Sequence, residues 1–401
     1  MDTEVKKCFF CGTPLVGENK SKEHVIPNSI GGKLTTYGFI CKACNNKFGE
    51  ECDADLANQL HTITLLLNIH RERKEVHPGV FTSVNGEDYR LYASGKIEKC
   101  ICIPKETILD NGKKRVEIHA PNRQQMAQHI KGYIRKFKKN TDNDKDKANI
   151  EHVFKNIDID KLPYKEEYIP PLEIKIEVGG TGFAKSIVKT CLALCSMSQI
   201  RDECTLAKNF LNTGDESKVV WAHCDWNLRC KISEDDFSHC IHVQSSKEYG
   251  YVAAYVELFS IFRFIVILSD EYKGENFYKT YTVDPISGKE RTVEIDIPFE
   301  NISNISSDLT DVIRNNIYNN VLRLIRYYYK KGIAEEYMRV LKNAHEFAFQ
   351  KICVPSGELL TRDNLPQFIE CIMEYMTPFI LHFCALDESP SELMLRENTH
   401  A

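Results

Sequence analysis

Residues 22–28 read K-E-H-V-I-P-N, and they lie between two C-x-x-C pairs, Cys8–Cys11 and Cys41–Cys44. Lys22, Glu23 and His24 place an amine, a carboxylate and an imidazole on three consecutive positions. Taken alone, the stretch is a solvated turn holding a histidine. Taken with the cysteines that flank it, it is half of a site, and the choice decides what the first part of the chain folds into.

The cysteines are spaced C-x2-C-x29-C-x2-C. Each C-x-x-C sets two thiolates on one side of a tight turn, and two such knuckles make a tetrahedral four-sulfur site suited to zinc. Gly12, directly after the first knuckle, permits the positive φ such a turn requires. Four buried free thiols are the alternative, and two matched pairs within 37 residues argue against it. Between the knuckles, Val25 and Ile26 are strand-like, Pro27 stops the run, Gly31-Gly32 marks a turn, and residues 36–40 are strand-like again. After the second knuckle, Phe48, Cys52 and Leu56 recur every four residues, which predicts a helix. The local order is strand, turn, strand, helix, with zinc fastening the two ends.

EHVIP, then GG, then C-x-x-C-N at the head of a helix resembles the HNH endonuclease superfamily, in the subgroup whose ββα-metal core carries two zinc knuckles. The resemblance covers about residues 6–60. It implies that His24 is the general base, a role suited to a neutral imidazole at cytoplasmic pH. It implies that Glu23 is a hard oxygen ligand for Mg²⁺ or Mn²⁺, and that the amide oxygen of Asn45 completes the protein ligands from the helix. Glu23, His24 and Asn45 are thus the expected catalytic set, and Cys8, Cys11, Cys41 and Cys44 the expected zinc ligands. The family often has an Asn shortly before the second knuckle, tying down the loop that carries the base. Here that stretch is Leu34-Thr35-Thr36-Tyr37-Gly38, where Thr36 offers one hydrogen bond. The implied reaction is cation-dependent hydrolysis of DNA phosphodiesters, leaving a 5′-phosphate and a 3′-hydroxyl. Lys42 and Lys47 flank the second knuckle, either as DNA phosphate contacts or as solvated lysines. The same residues also suit a zinc module that binds nucleic acid or protein without catalysis, with His24 on the surface and Asn45 capping a helix.

The expected fold class is α+β: the N-terminal ββα-metal module, then a larger mixed α/β region ending in helices. The expected division is 1–75 for the nuclease module, 76–150 for a β-rich connector, and 151–401 for a regulatory or target-recognition region. Residues 57–74 read as amphipathic helix with a basic end, HRER. Turns are expected at Asn85-Gly86, Ser94-Gly95 and Asn111-Gly112. The helix predicted over 121–139 ends in KGYIRKFKK, where Lys131, Arg135 and Lys136 stand among Tyr133 and Phe137, a pattern that suits phosphate contact or a solvated helix end. NTDNDKDKAN, from 140, reads as a linker. LEIKIEV, 172–178, alternates as a strand. It leads into G179-G-T-G-F-A-K-S186, which matches a phosphate-binding loop except for Ala184. A nucleotide-driven enzyme using Lys185 and Ser186 is therefore a rival reading, as is a glycine turn into a core helix. His223, Cys224, Cys230, His239, Cys240 and His242 form a second Cys/His-rich patch, which strand alternation splits between two faces. A long helical stretch follows over 307–350, with Ser306-Ser307-Asp308 as its expected cap.

The 401 residues and 42% hydrophobic content describe an ordinary globular chain. A net charge of −5 leaves nucleic-acid binding to local basic patches. MDTEVKKCFFCG lacks the apolar core of a secretory leader, and no apolar run reaches the roughly 20 residues of a membrane span. A cytoplasmic protein with no membrane association is expected. In that compartment most of the 16 cysteines stay reduced rather than forming structural disulfides. Zinc and Mg²⁺ or Mn²⁺ are the expected ions and DNA the expected partner. An activating ligand or protein is expected at the C-terminal region, with self-association also open. By analogy, such a fusion resembles bacterial restriction and phage-defence effectors.

Overall fold

The computed structural model describes residues 6–72, 75–100, 105–111, 114–120, 122–162, 169–215, 221–229, 232–305, 308–355 and 358–386. The chain divides into two compact units, Met1–Val321 and Leu322–Ala401. Residues 1–75, 76–150 and 151–321 all fall in the first.

The N-terminal module pairs β1 (Glu23–His24) with β2 (Thr35–Thr36) antiparallel, Glu23 opposite Thr36 and His24 opposite Thr35. The ribbon lies earlier than the sequence suggests: Val25 and Ile26, read as strand-like, fall just outside it, and of residues 36–40 only Thr36 takes part. After Pro27, Asn28–Ile30 coil into a 3-10 turn. Gly31 closes that turn at φ 100°, and a Cβ on Gly32 would lie 1.8 Å from the Ile26 carbonyl oxygen. Both glycines are therefore obligatory, one for its backbone angle and one for close approach. Helix α1 (Lys42–Phe48) starts at the second knuckle, with the Cys41 sulfur accepting from the Cys44 amide. It runs through a π turn, Gly49–Asp53, into α2 (Ala54–Gln59) and α3 (His61–Leu66). The helix expected to 74 stops at Leu66, where Asn68 turns left-handed (φ 50°) and the Ile69 amide closes back on the Thr64 carbonyl.

The connector is a meander, β3 (Gly79–Thr82), β4 (Asp88–Leu91) and β5 (Ile97–Lys99), followed by the hairpin β6 (Lys105–Ile108) and β7 (Lys114–Glu117). Gly86 and Gly95 sit at positive φ in its turns, as expected; Gly112 lies outside the described residues. Helix α4 (Arg123–Asn140) is capped by Asn122. The polar stretch read as a linker is the start of a second helix, α5 (Asp144–Lys155), capped by Asn143. Its charged residues hid a face that packs on α4 through Tyr133 and Phe154, 5.9 Å between ring centroids. Residues 172–178 keep their alternation of burial but form no ladder, only a bridge between Leu172 and Ser83. Alternation sets which side chains face inward; a strand also needs a neighbour to pair with.

Helices α6 (Gly180–Cys195) and α7 (Thr205–Thr213) precede the strands β8 (Trp221–His223), β9 (His239–Ser246), β10 (Tyr251–Leu258), β11 (Phe262–Ser269) and β12 (Tyr278–Val283). These form one antiparallel sheet in the order β12-β9-β10-β11-β8. Period-two alternation divides the hydrophobic strands between two layers. Ala253, Tyr255 and Ile265 pack with Ile297, Phe299 and Ile302 on one side, while Phe264 meets Phe183 of α6 at 5.7 Å on the other. The β10–β11 connection turns through Phe259 and Ser260, both buried and both at positive φ.

Helix α8 (Asp311–Lys351) begins after Thr310, whose hydroxyl accepts from the Ile313 amide. Thr310 thus takes the capping role expected of Ser306-Ser307-Asp308, of which the serines lie outside the described residues. In the second unit, α8 packs on α9 (Leu365–Leu386) through Val340, Ala344 and Met376, and through Ala348, Phe368 and Cys371. No helix among the described residues is long and apolar enough to cross a membrane. The whole is α+β, with the zinc-knuckle module first and helices last, as the sequence predicts.

Candidate active site and metal centre

The sulfurs of Cys8, Cys11, Cys41 and Cys44 all lie within 4.8 Å of one another. Tetrahedral zinc with bonds of about 2.3 Å places its sulfurs roughly 3.8 Å apart, and Cys11 and Cys41 stand at 3.6 Å. The first knuckle is closed by the Cys8 amide donating to the Thr13 carbonyl (2.8 Å) and the Gly12 amide to the Cys8 carbonyl (3.0 Å). Gly12 takes φ 71°, the angle its place after the knuckle predicts. The Thr13 hydroxyl, 3.1 Å from the Cys11 sulfur, helps pull that thiol down to about 6, while burial pushes the Cys41 and Cys44 thiols up. The four residues fit a structural zinc. Among the described residues they are the single such cluster; of the second Cys/His patch, Cys230 lies outside those residues.

His24 extends from β1 toward Glu72, Nε2 to Oε1 3.3 Å. Burial lowers the imidazole's affinity for a proton, while the Glu72 hydrogen bond and charge oppose that. The ring is therefore neutral near pH 7 and oriented by a carboxylate, the state a general base requires. Glu72 is held in turn. Its amide donates to Asn28 Oδ1 (2.9 Å), and Asn28 Nδ2 donates to the Gly32 carbonyl (3.2 Å). Lys22 Nζ adds a 3.7 Å contact to the same carboxylate.

Neither Asn28 nor Glu72 emerges from the sequence as a site residue. Glu72 sits in HRER, where three basic neighbours mask it, and it reaches His24 only because the chain reverses after Leu66. Asn28 closes the KEHVIPN motif itself. It supplies the loop-fastening expected between Leu34 and Gly38, where Thr36 instead points inward, 3.3 Å from the Ser196 hydroxyl.

Asn45 is fastened to the approach to β1. Its Nδ2 donates to Ser21 Oγ (2.7 Å) and to the Lys22 carbonyl (3.3 Å), which leaves Oδ1 as its acceptor atom. This brings the head of α1 beside the strand that carries His24.

Glu23 goes elsewhere. Alternation along β1 turns it to the opposite side from His24, where it is 4% exposed. Its Oε1 accepts from Nζ of Lys189, a residue of α6 that is 1% exposed. Lys189 also donates to Asp53 Oδ2 (2.7 Å), and Ser186 Oγ donates to Asp53 Oδ1 (2.7 Å). Burial disfavours the charged form of both Lys189 and Glu23, and the carboxylates of Asp53 and Glu23 more than offset this for Lys189 and keep it charged. Mg²⁺ retains several waters and needs open oxygen ligands. A carboxylate enclosed by protein and already paired with an ammonium does not meet that need, so Glu23 and Asn45 do not form a cation site in this conformation.

Ser186 spends its hydroxyl on Asp53, and Gly179 bonds the Gln59 side chain with both its amide and its carbonyl. The sheet beyond is wholly antiparallel. A phosphate-binding loop feeding a parallel sheet is not what residues 179–186 build. Lys42 and Lys47 on α1, and Lys131, Arg135 and Lys136 on α4, are all exposed.

Residues 8–61 match the family described as HNH endonuclease. No curated protein and no solved structure matches the chain. The N-terminal module is an HNH endonuclease domain with a cysteine cluster fit for zinc. A nucleic acid is the substrate class such a domain implies.

Proposed function

We propose that the protein is an HNH endonuclease that hydrolyses DNA phosphodiester bonds, with His24 as the general base. The carrying observation is the partly buried His24 held 3.3 Å from Glu72 on a strand that sits between two zinc knuckles. His24 takes a proton from the attacking water, Glu72 orients the ring, and Asn28 fixes Glu72. Zinc holds the two ends of the ββα core and takes no part in the chemistry. Lys42, Lys47, Lys131, Arg135 and Lys136 are proposed as phosphate contacts, which exposure permits. Dependence on Mg²⁺ or Mn²⁺ belongs to the proposal through Asn45 and Glu23, with Glu23 closed off by Lys189 in this conformation. The larger region then senses a signal or partner, as in a restriction or phage-defence effector acting in the cytoplasm, alone or self-associated.

The engagement of Glu23 by Lys189 favours a second reading, a zinc module that binds nucleic acid without cutting it. Nicking of supercoiled plasmid in Mg²⁺ or Mn²⁺ separates the two. Cleavage by wild type and not by a zinc-replete His24→Ala variant is expected. Equal cleavage by both would remove His24 from the mechanism, and binding without cleavage by either would support the second reading.

A further inference from the structure

One hydrogen bond prolongs the β1–β2 ribbon past His24 and its partner Thr35: the Val25 amide donates to the Leu34 carbonyl (2.9 Å). In a continuing antiparallel pair the Leu34 amide would return a bond to Val25. It donates instead to the phenol oxygen of Tyr281 on β12 (3.0 Å), a residue only 4% exposed. The ribbon therefore ends on a hydroxyl supplied across 247 residues of sequence, from outside the matched residues 8–61.

Tyr281 is not the sheet's single hold on this loop. His239 of β9 donates from Nε2 to the Ile30 carbonyl (2.8 Å). Pro285, just past β12, lies so close to Gly31 that a Cβ there would stand 2.5 Å from the proline Cβ. The same loop fastens Glu72, since Asn28 accepts from the Glu72 amide and donates to the Gly32 carbonyl. Residues 28–34 are thus a common mount for His24 and for the carboxylate that orients it, and the sheet grips that mount. Misplacement of a catalytic group by about 1 Å costs rate by as much as about 10²-fold. We infer, resting on the nuclease reading above, that Tyr281 is a positioning residue for His24: its hydroxyl ends the ribbon and, through Leu34 and Val25, sets where the base stands relative to Glu72. The five-stranded sheet is then part of the catalytic scaffold.

The test is Tyr281→Phe in the full, zinc-loaded chain, read by plasmid nicking in Mn²⁺ and by amide hydrogen exchange. The substitution removes the acceptor of the Leu34 amide and little else. kcat is expected to fall about tenfold with KM within about twofold, since a displaced base costs rate and not binding. The Val25 and Leu34 amides are expected to exchange about tenfold faster, with those of β10 and β11 unchanged. Val266→Ala, a buried substitution on β11, two strands from β9, controls for general loosening of the sheet and is expected to keep the wild-type kcat. A wild-type kcat in Tyr281→Phe would overturn the inference, as would an equal loss in Val266→Ala. So would exchange of the Leu34 amide at the rate of an open loop in the wild-type chain, a result that needs no variant to fold. If none of these proteins nicks, the nuclease reading fails by itself and exchange decides alone: acceleration confined to Val25 and Leu34 leaves Tyr281 as the anchor of the ribbon, and unchanged rates remove it.

Discussion

Lys189 Nζ donates to Asp53 Oδ2 at 2.7 Å across 136 residues of sequence, and the same ammonium meets Glu23 across 166. A cation from a helix outside the ββα core thus joins the residue beside His24 to the residue that ends the π turn.

Removing Lys189 leaves two carboxylates facing one another away from water. Lys189→Met should destabilise the first unit by about 3–5 kcal/mol, the range for breaking a buried pair by deleting one partner. Glu23→Gln should cost clearly less, because the pair with Asp53 survives. Urea unfolding curves of the two variants check the order, and equal costs would contradict the shared role of Lys189.

The zinc cluster predicts one zinc per chain, released by chelators and absent in a Cys41→Ser/Cys44→Ser variant. Structural zinc in small modules contributes on the order of 10 kcal/mol, more than so short a ribbon and helix could supply. Metal removal should therefore open residues 6–60 to limited proteolysis. Protection that persists without metal would show that packing against the sheet suffices.

Glu72 orients His24 and is itself placed by Asn28. Glu72→Gln should lower kcat for nicking by about tenfold with little change in KM, a fraction of the roughly 10²–10⁴ expected for the base itself. Asn28→Ala should reproduce the loss, since it frees the backbone that carries Glu72. Full activity in both would show that His24 needs no orienting carboxylate.

Buried His239 donates from Nε2 to the Ile30 carbonyl (2.8 Å) and accepts at Nδ1 from the Phe259 amide (3.2 Å), which couples the sheet to the loop after KEHVIPN. Burial pulls its pKa down to about 4 from an ordinary 6.5. The unfolded chain thus binds this proton at higher pH than the folded one. The stability it contributes is complete above pH 6.5 and is lost as pH falls toward 4, by roughly 3 kcal/mol in all. Thermal melts between pH 7 and 4 should show this decline, and His239→Phe should flatten it. That variant should also be less stable at pH 7, by about 2–4 kcal/mol, for the two backbone groups left unpaired. An unchanged acid slope in His239→Phe would assign the decline to other groups.

The features legible in sequence are those whose physics is local. Cys8, Cys11, Cys41 and Cys44 declare a metal because two tight turns within 37 residues leave the thiols one geometry. Gly12 and Gly31-Gly32 were legible for the same reason. Helix α5 was missed because its composition resembles a linker, and its stability comes from a cap and a partner helix that composition does not reveal. Residues 172–178 were overread because alternation reports facing and not pairing.

The sequence by itself determined the pair of zinc knuckles at Cys8–Cys11 and Cys41–Cys44, since spacing and turn chemistry admit little else there, while His24 and Asn45 stood out through the resemblance to the family. Only the tertiary structure decided what surrounds them. Glu72 reaches His24 across 48 residues, and Lys189 takes Glu23 from the middle of an apolar helix. A lysine on such a helix carries no sign of its partner, because a buried charge is explained only by the charge that folding brings against it.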